Sequence, residues 1–283
     1  MSRPLISVII PTHSSTTLDI AVKSICKQTY KNLEIIIVGD NPKEETERLA
    51  KECVARDSRI KYYRLPHDDP KRFNKRGRNI NAGYSARNYG FEKVTGEWIT
   101  FQDADDASLL NRIEVQYKLA LQYNATHLCV DWQQFNPEYL EKALNVQKIL
   151  KEHSDAIILP EGIITLAKNT KGIIIPILGP LNKYIPFEWK RLRIINKLFF
   201  KSLAPYPGTG NSPLFKRSVV EKVRFRALPN RIWPSFTGRG ADRDFNFQVA
   251  ETFKNSYVFK LPLYLWRQNS QNVEYVGYNK YLI

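Results

Sequence analysis

Two runs, LISVIIP (Leu5 to Pro11) and LEIIIVGD (Leu33 to Asp40), constrain this chain more than any other feature. Both are nearly continuous in β-branched and aliphatic residues, with no polar face to turn towards water. Such strands need cover on both sides, which is the condition of a parallel strand inside an α/β sheet. Between them Leu18, Ala21, Val22, Ile25 and Cys26 recur at helical spacing in the segment Thr17 to Gln28, so the connection reads as a helix. Pro42 to Arg56 is acidic at its start and basic towards its end, which complements a helix dipole. Ile60 to Leu65 continues the pattern as a third strand, Ala86 to Val94 as a helix ending before Gly96, and Glu97 to Phe101 as a fourth strand. The expected fold class is α/β, a Rossmann-like, mostly parallel central sheet flanked by helices. Open sheets of this kind bind ligands beyond the C-terminal ends of their strands.

The fourth strand runs directly into Asp103, Asp105 and Asp106. Carboxylates so close repel one another, so the arrangement asks for a compensating cation. A D-x-D pair at a strand end is a seat for a hard divalent ion. Mg²⁺ and Mn²⁺ take oxygen ligands and combine one or two carboxylates with substrate phosphate oxygens. The other reading is an acidic turn in which Asp106 or Ser108 caps a helix starting near Leu109. Asp40 also ends a strand, which puts it on the same crevice as Asp103 and favours the ion.

Beyond about residue 135 the alternation weakens. Pro137 to His153 looks helical, Ala156 to Leu159 like a short strand, Ser212 to Val223 mixed, Asp242 to Phe253 helical, and Tyr257 to Trp266 like a last strand despite Pro262. No internal repeat, low-complexity tract or clean linker divides the 283 residues, so one composite domain is expected. A net charge of +15 and a pI near 9.6 suit an anionic partner: nucleic acid, anionic lipid or phosphorylated small molecules. Lys71, Arg72, Lys75, Arg76 and Arg78 concentrate that charge. In Asn182 to Gly208, helical geometry would gather Trp189, Leu192, Ile195, Phe199 and Leu203 on one side, and Lys190, Arg193, Lys197 and Lys201 on another. That is the pattern of an interfacial amphipathic helix, or of a helix packed on the sheet with a solvated basic face. The longest apolar run, GIIIPILGPL (Gly172 to Leu181), is short of the roughly 20 residues that span a bilayer. With no signal-peptide pattern, and with Cys26, Cys53 and Cys129 widely spaced, an intracellular chain is expected.

In order, PLISVIIPTHSSTTLDIAVKSICKQTYKNLEIIIVGDN and NAGYSARNYGFEKVTGEWITFQDADD resemble glycosyltransferase family 2, with the GT-A nucleotide-sugar fold. The resemblance covers Pro4 to about Arg112; a second patch, GTGNSPLFKRSVVEKV and GRGADRDFNFQVAETF, is similar to the family's acceptor-side half. It implies a nucleotide-sugar half over 1–135, a variable region over 136–204 and an acceptor-side half with the catalytic base over 205–283. Pro11 and Thr12 would then lie beside the nucleotide base, and Asp40 would accept from the base or ribose. Asn81 and Arg87 would sit near the ribose and diphosphate, Asp103 on the ribose or metal, and Asp105 as main ligand of Mn²⁺ or Mg²⁺. Asp106 would cap or orient the following helix.

Transfer by direct displacement also needs a carboxylate to take the proton of the attacking hydroxyl. The family carries it in a glycine-led acidic motif that opens a helix, here Gly240-Ala241-Asp242-Arg243-Asp244. Asp242 is the expected base and Asp244 the second choice; the alternative is a helix-terminus carboxylate serving only the dipole. Many relatives add a C-terminal histidine, but this chain has none beyond His153, and LYLWRQNSQNVEY offers Arg267, Gln268 and Asn269 instead. Arg267 would hold the diphosphate. The resemblance implies an inverting transferase using a nucleotide-diphospho-sugar, most plainly a UDP-sugar. Its acceptor would be a glycan or polyprenyl-diphosphate-linked hydroxyl in surface polysaccharide synthesis at the cytoplasmic face of a membrane, with no nucleic-acid partner. A sugar nucleotidyltransferase would want a glycine-rich basic loop where this chain has PTHSSTT. A nucleic-acid-binding protein would be indifferent to loss of Asp103, Asp105 or Asp242.

Overall fold

The structure, a computed structural model, describes residues 3–68, 83–171, 184–186, 189, 192, 194, 204–233, 240–267 and 279–283. The two β-branched runs form β1 (Ile6–Thr12) and β2 (Leu33–Gly39), every residue of β2 buried. Their side chains divide by parity: Val8, Ile10, Ile35 and Ile37 join one core cluster, Ile9, Ile36 and Val38 another. Burial on both faces is what the absence of polar alternation demanded, and each such side chain contributes roughly 1.5–3 kcal/mol. Helix α1 (Leu18–Cys26) connects them; α2 (Glu44–Arg56) leads to β3 (Ile60–Arg64), and α3 (Tyr84–Phe91) leads to β4 (Trp98–Phe101). These bounds fall within two residues of the expected ones at most ends.

The second half is less regular. After β5 (Ala107–Ser108) come α4 (Arg112–Gln122), β6 (His127–Gln134), α5 (Val146–Glu152), β7 (Ile157–Ile158) and α6 (Pro160–Thr170). β8 (Leu214–Lys216), α7 (Ala241–Phe253) and β9 (Ser256–Trp266) follow. The described strands make one sheet in the order β3-β2-β1-β4-β8-β6-β9-β5, with β7 on β9. The long pairings, β1 with β2, β2 with β3, β1 with β4 and β6 with β9, are parallel; the antiparallel pairings through β5, β7 and β8 are short. This is the GT-A-type α/β architecture, with both halves built onto a single sheet.

Two expectations need correction. Pro137 to His153 is not one helix: a 3₁₀ turn (Pro137–Glu141) and α5 are separated where Leu144 bridges Leu282 and Ala143 exchanges backbone hydrogen bonds with Ile283. Pairing with the chain's end overrides the helical spacing there. The helix after the acidic turn starts at Arg112 rather than near Leu109, and its N-cap residue is Asn111, so neither Asp106 nor Ser108 caps it. The last strand forms despite Pro262, as its sequence suggested: the proline sits inside β9 opposite Asp131, where β6 and β9 shift register. A bulge is where a sheet accepts proline. Asn81, the basic residues 71–78 and most of the amphipathic segment 182–203 lie outside the described residues.

Candidate active site

Register sets the site. Thr12 pairs with Gly39 and Ile9 with Phe101, so β1, β2 and β4 reach the same edge of the sheet together. Asp40 and Asp103 therefore leave β2 and β4, the two strands that flank β1, on one side, and both line a cavity of about 800 Å³. Pro11 and Thr12 line it too, and Thr12 Oγ1 is buried without a hydrogen-bond partner among the described residues. His13 Nδ1 donates to the carbonyls of Asp40 (2.9 Å) and Asn41 (2.7 Å), fixing the turn after β2.

Gly83, in the left-handed region at φ 70°, opens α3 against the cavity; a Cβ there would stand 3.0 Å from Arg87 Nη1. That room lets Arg87 reach Asp103, with Nη2 to Oδ1 at 2.5 Å. Asn211 Nδ2 donates to the other Asp103 oxygen at 2.6 Å. Asp106 is held as firmly: Oδ2 accepts from the Tyr264 hydroxyl (2.9 Å) and Oδ1 from Arg267 N (2.7 Å). Its structural role thus runs through β9 rather than through a helix cap. Asp105 alone of the three is exposed, and it opens onto the cavity. Desolvation by the surrounding walls and then the Asp103 charge push its carboxyl above the ordinary range. Burial, reinforced by Asp103 and Asp105, pushes Asp106 up to about 8.

One ligand oxygen from each of Asp103, Asp105 and Asp106 lies within 4.8 Å of the others. An oxygen-only donor set whose mutual repulsion Arg87 offsets only in part fits a hard divalent cation, with Asp105 the residue whose oxygens are least engaged. Arg267, expected on the diphosphate, has another occupation. Its Nε donates to the Asp105 carbonyl at 3.1 Å, and its guanidinium lies 3.8 Å from the centre of the Phe135 ring. It braces the acidic turn from outside the residues that line the cavity.

The opposite wall comes from α7. Phe245 stacks on Phe225 at 4.3 Å and packs with Phe91, Phe101 and Phe215, which ties α7 to α3, β4 and β8. Gly240, at φ 56°, starts the helix, and Asp242 lines the cavity in its first turn. No described donor makes a hydrogen bond to the Asp242 carboxylate. Asp244 differs completely: it is fully buried and accepts five hydrogen bonds, from Arg226 Nε and Nη2, the Ile232 and Trp233 amides, and Gln248 Nε2. Successive helix residues turn by about 100°, so residues two apart face opposite sides. Only Asp242 faces the cleft. Asn246, one turn on, donates to the carbonyls of Asp242 (2.8 Å) and Gly210 (2.7 Å), and a Cβ on Gly210 would lie 3.0 Å from Asp242 Oδ2.

Several of these contributors were not singled out in the sequence. Asn211 lies inside GTGNSPLF and Tyr264 inside LYLWRQNS, stretches read as whole patches without a residue chosen. Trp132, Tyr206 and Arg243 also line the cavity; β6, which carries Trp132, had no clear strand signal.

A strand-edge crevice, an acidic turn and the Asp242 carboxylate thus share one cavity. The chain belongs to glycosyl transferase family 2, whose model matches residues 7–191. It is 32% identical over 139 residues to an uncharacterized glycosyltransferase of Rickettsia bellii, covering 48% of this chain and 18% of that protein. Over 107 residues it is 36% identical to the GalNAc(5)-diNAcBac-PP-undecaprenol beta-1,3-glucosyltransferase of Campylobacter jejuni, covering 38% of this chain and 31% of that one. The chain thus spans well under half the length of these relatives. Among solved structures, S. aureus TarS 1-349 in complex with UDP-GlcNAc is similar in fold at a TM-score of 0.53 and 12% identity, over 94% of this chain and 59% of that one. The mannosyltransferase PcManGT of Pyrobaculum calidifontis, in complex with GDP-Man and Mn²⁺, has a TM-score of 0.52 at 15% identity, over 98% and 59%.

Proposed function

We propose that the chain is an inverting, metal-dependent glycosyltransferase that uses a nucleotide-diphospho-sugar, with Asp242 as the general base. The observation that carries this reading is the sharing of one cavity by Pro11, Thr12 and Asp40, by the acidic turn, and by Asp242. The Asp40 carboxylate would hold the nucleoside together with the buried Thr12 Oγ1, which has no hydrogen-bond partner among the described residues. Arg87 and Asn211 fix Asp103 so that its orientation survives ligand exchange. A Mn²⁺ or Mg²⁺ ion held by Asp105, with Asp103, would neutralise the diphosphate as it leaves. Asp242 would accept the acceptor hydroxyl proton while that oxygen bonds to the anomeric carbon and the sugar–phosphate bond breaks. The product has inverted configuration and the nucleoside diphosphate departs with the bonding electrons. Asp244 is spent on Arg226 and takes no part.

The setting we favour is glycan assembly on a lipid-linked acceptor at the cytoplasmic face of a membrane. Three observations support it: the net charge of +15, the exposed Tyr184, Trp189, Leu192 and Ile194, and a relative whose name carries a PP-undecaprenol acceptor. No described helix is long and apolar enough to cross the membrane; the contact we propose is peripheral, through the exposed side chains at 184–194.

The test is a panel of UDP-, GDP- and other nucleotide-sugars, scored for binding and slow hydrolysis with Mn²⁺ and after chelation. At least one should bind, and removal of the metal or Asp105→Ala should weaken that binding about a hundredfold or more. Binding of none, or binding indifferent to both changes, contradicts the proposal.

A further inference from the structure

The cavity wall beyond the acidic turn holds an aromatic pair that donor binding and proton transfer leave unused. In β9, Leu261, Leu263 and Leu265 point into the core, while Tyr264 and Trp266 point the other way and line the cavity. Trp132 pairs with Tyr264 across the β6–β9 ladder, just past the register shift at Asp131, and lines the same cavity. The indoles of Trp132 and Trp266 meet edge to face, 4.7 Å between centroids and 87° between planes. Trp266 is 36% exposed. A large apolar ring held at the rim of a polar cleft, when the core lies one residue away, is a binding surface rather than packing.

Position says which ligand it meets. The nucleoside side lies at β1 and β2, and β4 and β8 stand between β1 and β6. Three to four strand spacings separate β1 from β6 and β9, about 14–19 Å. The acidic turn lies in that interval, because the Tyr264 hydroxyl contacts both the Asp103 amide and Asp106. β6, two residues before Trp132, is tied to the loop beside the base candidate, and Trp132 and Asp242 line the same cavity. The Thr209 amide donates to the carbonyl of Val130 at 2.7 Å, and the next residue, Gly210, abuts Asp242. Thr209 itself lines the cavity, 6% exposed, and its Oγ1 is buried without a hydrogen-bond partner among the described residues.

We infer that Trp132 and Trp266, with the Thr209 hydroxyl, form the subsite for the acceptor's sugar ring, a pyranose that stacks its C–H face on indole. The inference rests on the transferase reading above. The acceptor is the fitting occupant because the hydroxyl that Asp242 deprotonates must belong to whatever lies beside the Gly208–Asn211 loop. A ring with a continuous apolar face, as in the β-gluco configuration, stacks better than one with an axial hydroxyl on that face.

The probes are methyl β-pyranosides of gluco, 2-acetamido-2-deoxygluco, galacto and manno configuration. Each is followed by saturation-transfer NMR on the full chain with nucleoside diphosphate and Mn²⁺ present. At least one equatorial glycoside should receive saturation, strongest at its axial C–H protons. Trp266→Ala and Trp132→Ala should each weaken that binding about tenfold, while the phenylalanine variants keep it within about threefold. Thr209→Val should weaken it less, and nucleoside diphosphate affinity should hold within about twofold throughout. Silence from every glycoside with the unaltered chain, binding that survives Trp266→Ala, or nucleotide-sugar affinity that falls in step with the tryptophan losses overturns the subsite. Failure of the unaltered chain to bind any nucleotide-sugar counts against the transferase reading instead.

Discussion

The two walls of the cavity hold their functional groups in opposite ways. On the β1–β2–β4 wall, Thr12, Asp40 and Asp103 stand at the ends of strands whose register places them. Backbone ladders and two buried clusters do the work, and Arg87 and Asn211 only orient one carboxylate. On the β6–α7–β9 wall, placement comes from side chains that connect distant segments. Asp244 gathers Arg226 and the amides of Ile232 and Trp233, and Asn246 links His127, Gly210 and Asp242. A wall built on ladders loses little when one side chain is changed. A wall built on a polar network depends on every member, because each buried partner left unpaired carries its own desolvation penalty.

The largest break in that comparison is expected at Asp244. Asp244→Ala leaves Arg226 without its carboxylate and two backbone amides unmet, and should cost about 3–5 kcal/mol in urea unfolding. A loss under about 1 kcal/mol would mean that the network is decoration. Next comes acid stability. Burial lowers the His127 pKa from the ordinary 6.5 to about 4, with Asn246 Oδ1, Cys129 and the Tyr206 ring as its neighbours. The folded state favours neutral imidazole, so the unfolded chain binds the extra proton between those values. This contribution is therefore intact above pH 6.5 and declines as pH falls towards 4, by about 2–3 kcal/mol at pH 4.5. Urea midpoints for the unaltered chain and His127→Asn should differ in pH slope over that window; parallel slopes would contradict it. The smallest effect is expected at Gly210→Ala, whose methyl would crowd the Asp242 carboxylate at 3.0 Å. Transfer should fall about tenfold with nucleotide binding unchanged.

The same contrast explains what was readable in the sequence. Val8, Ile9, Ile36 and Ile37 announce β1 and β2 because a strand buried on both faces needs no partner to be recognised. The acidic turn follows from WITF meeting Asp103. β6, HLCVDWQQ, shows no such run: His127 and Gln133 are buried yet polar, made acceptable by Asn246 and the Pro262 carbonyl more than a hundred residues away. Local pattern cannot show a partner that distant. Asp242 and Asp244 were both candidates for the base, and helical geometry alone puts them on opposite faces. What the spacing lacked was which face meets the cleft, and that is decided by Phe225 and Phe245. Arg267 was read by charge as a diphosphate ligand, but Phe135, revealed as its neighbour only by the fold, holds its guanidinium.

The central claim, that one cavity seats a donor on its ladder wall and a proton acceptor on its network wall, is tested most directly by Asp242→Asn. The substitution keeps shape and removes the charge. Measured side by side on a nucleotide-sugar that the chain turns over, transfer should fall about 10²–10⁴-fold, while metal-dependent donor affinity stays within about twofold. Donor affinity lost together with transfer, or transfer left intact, would contradict the account.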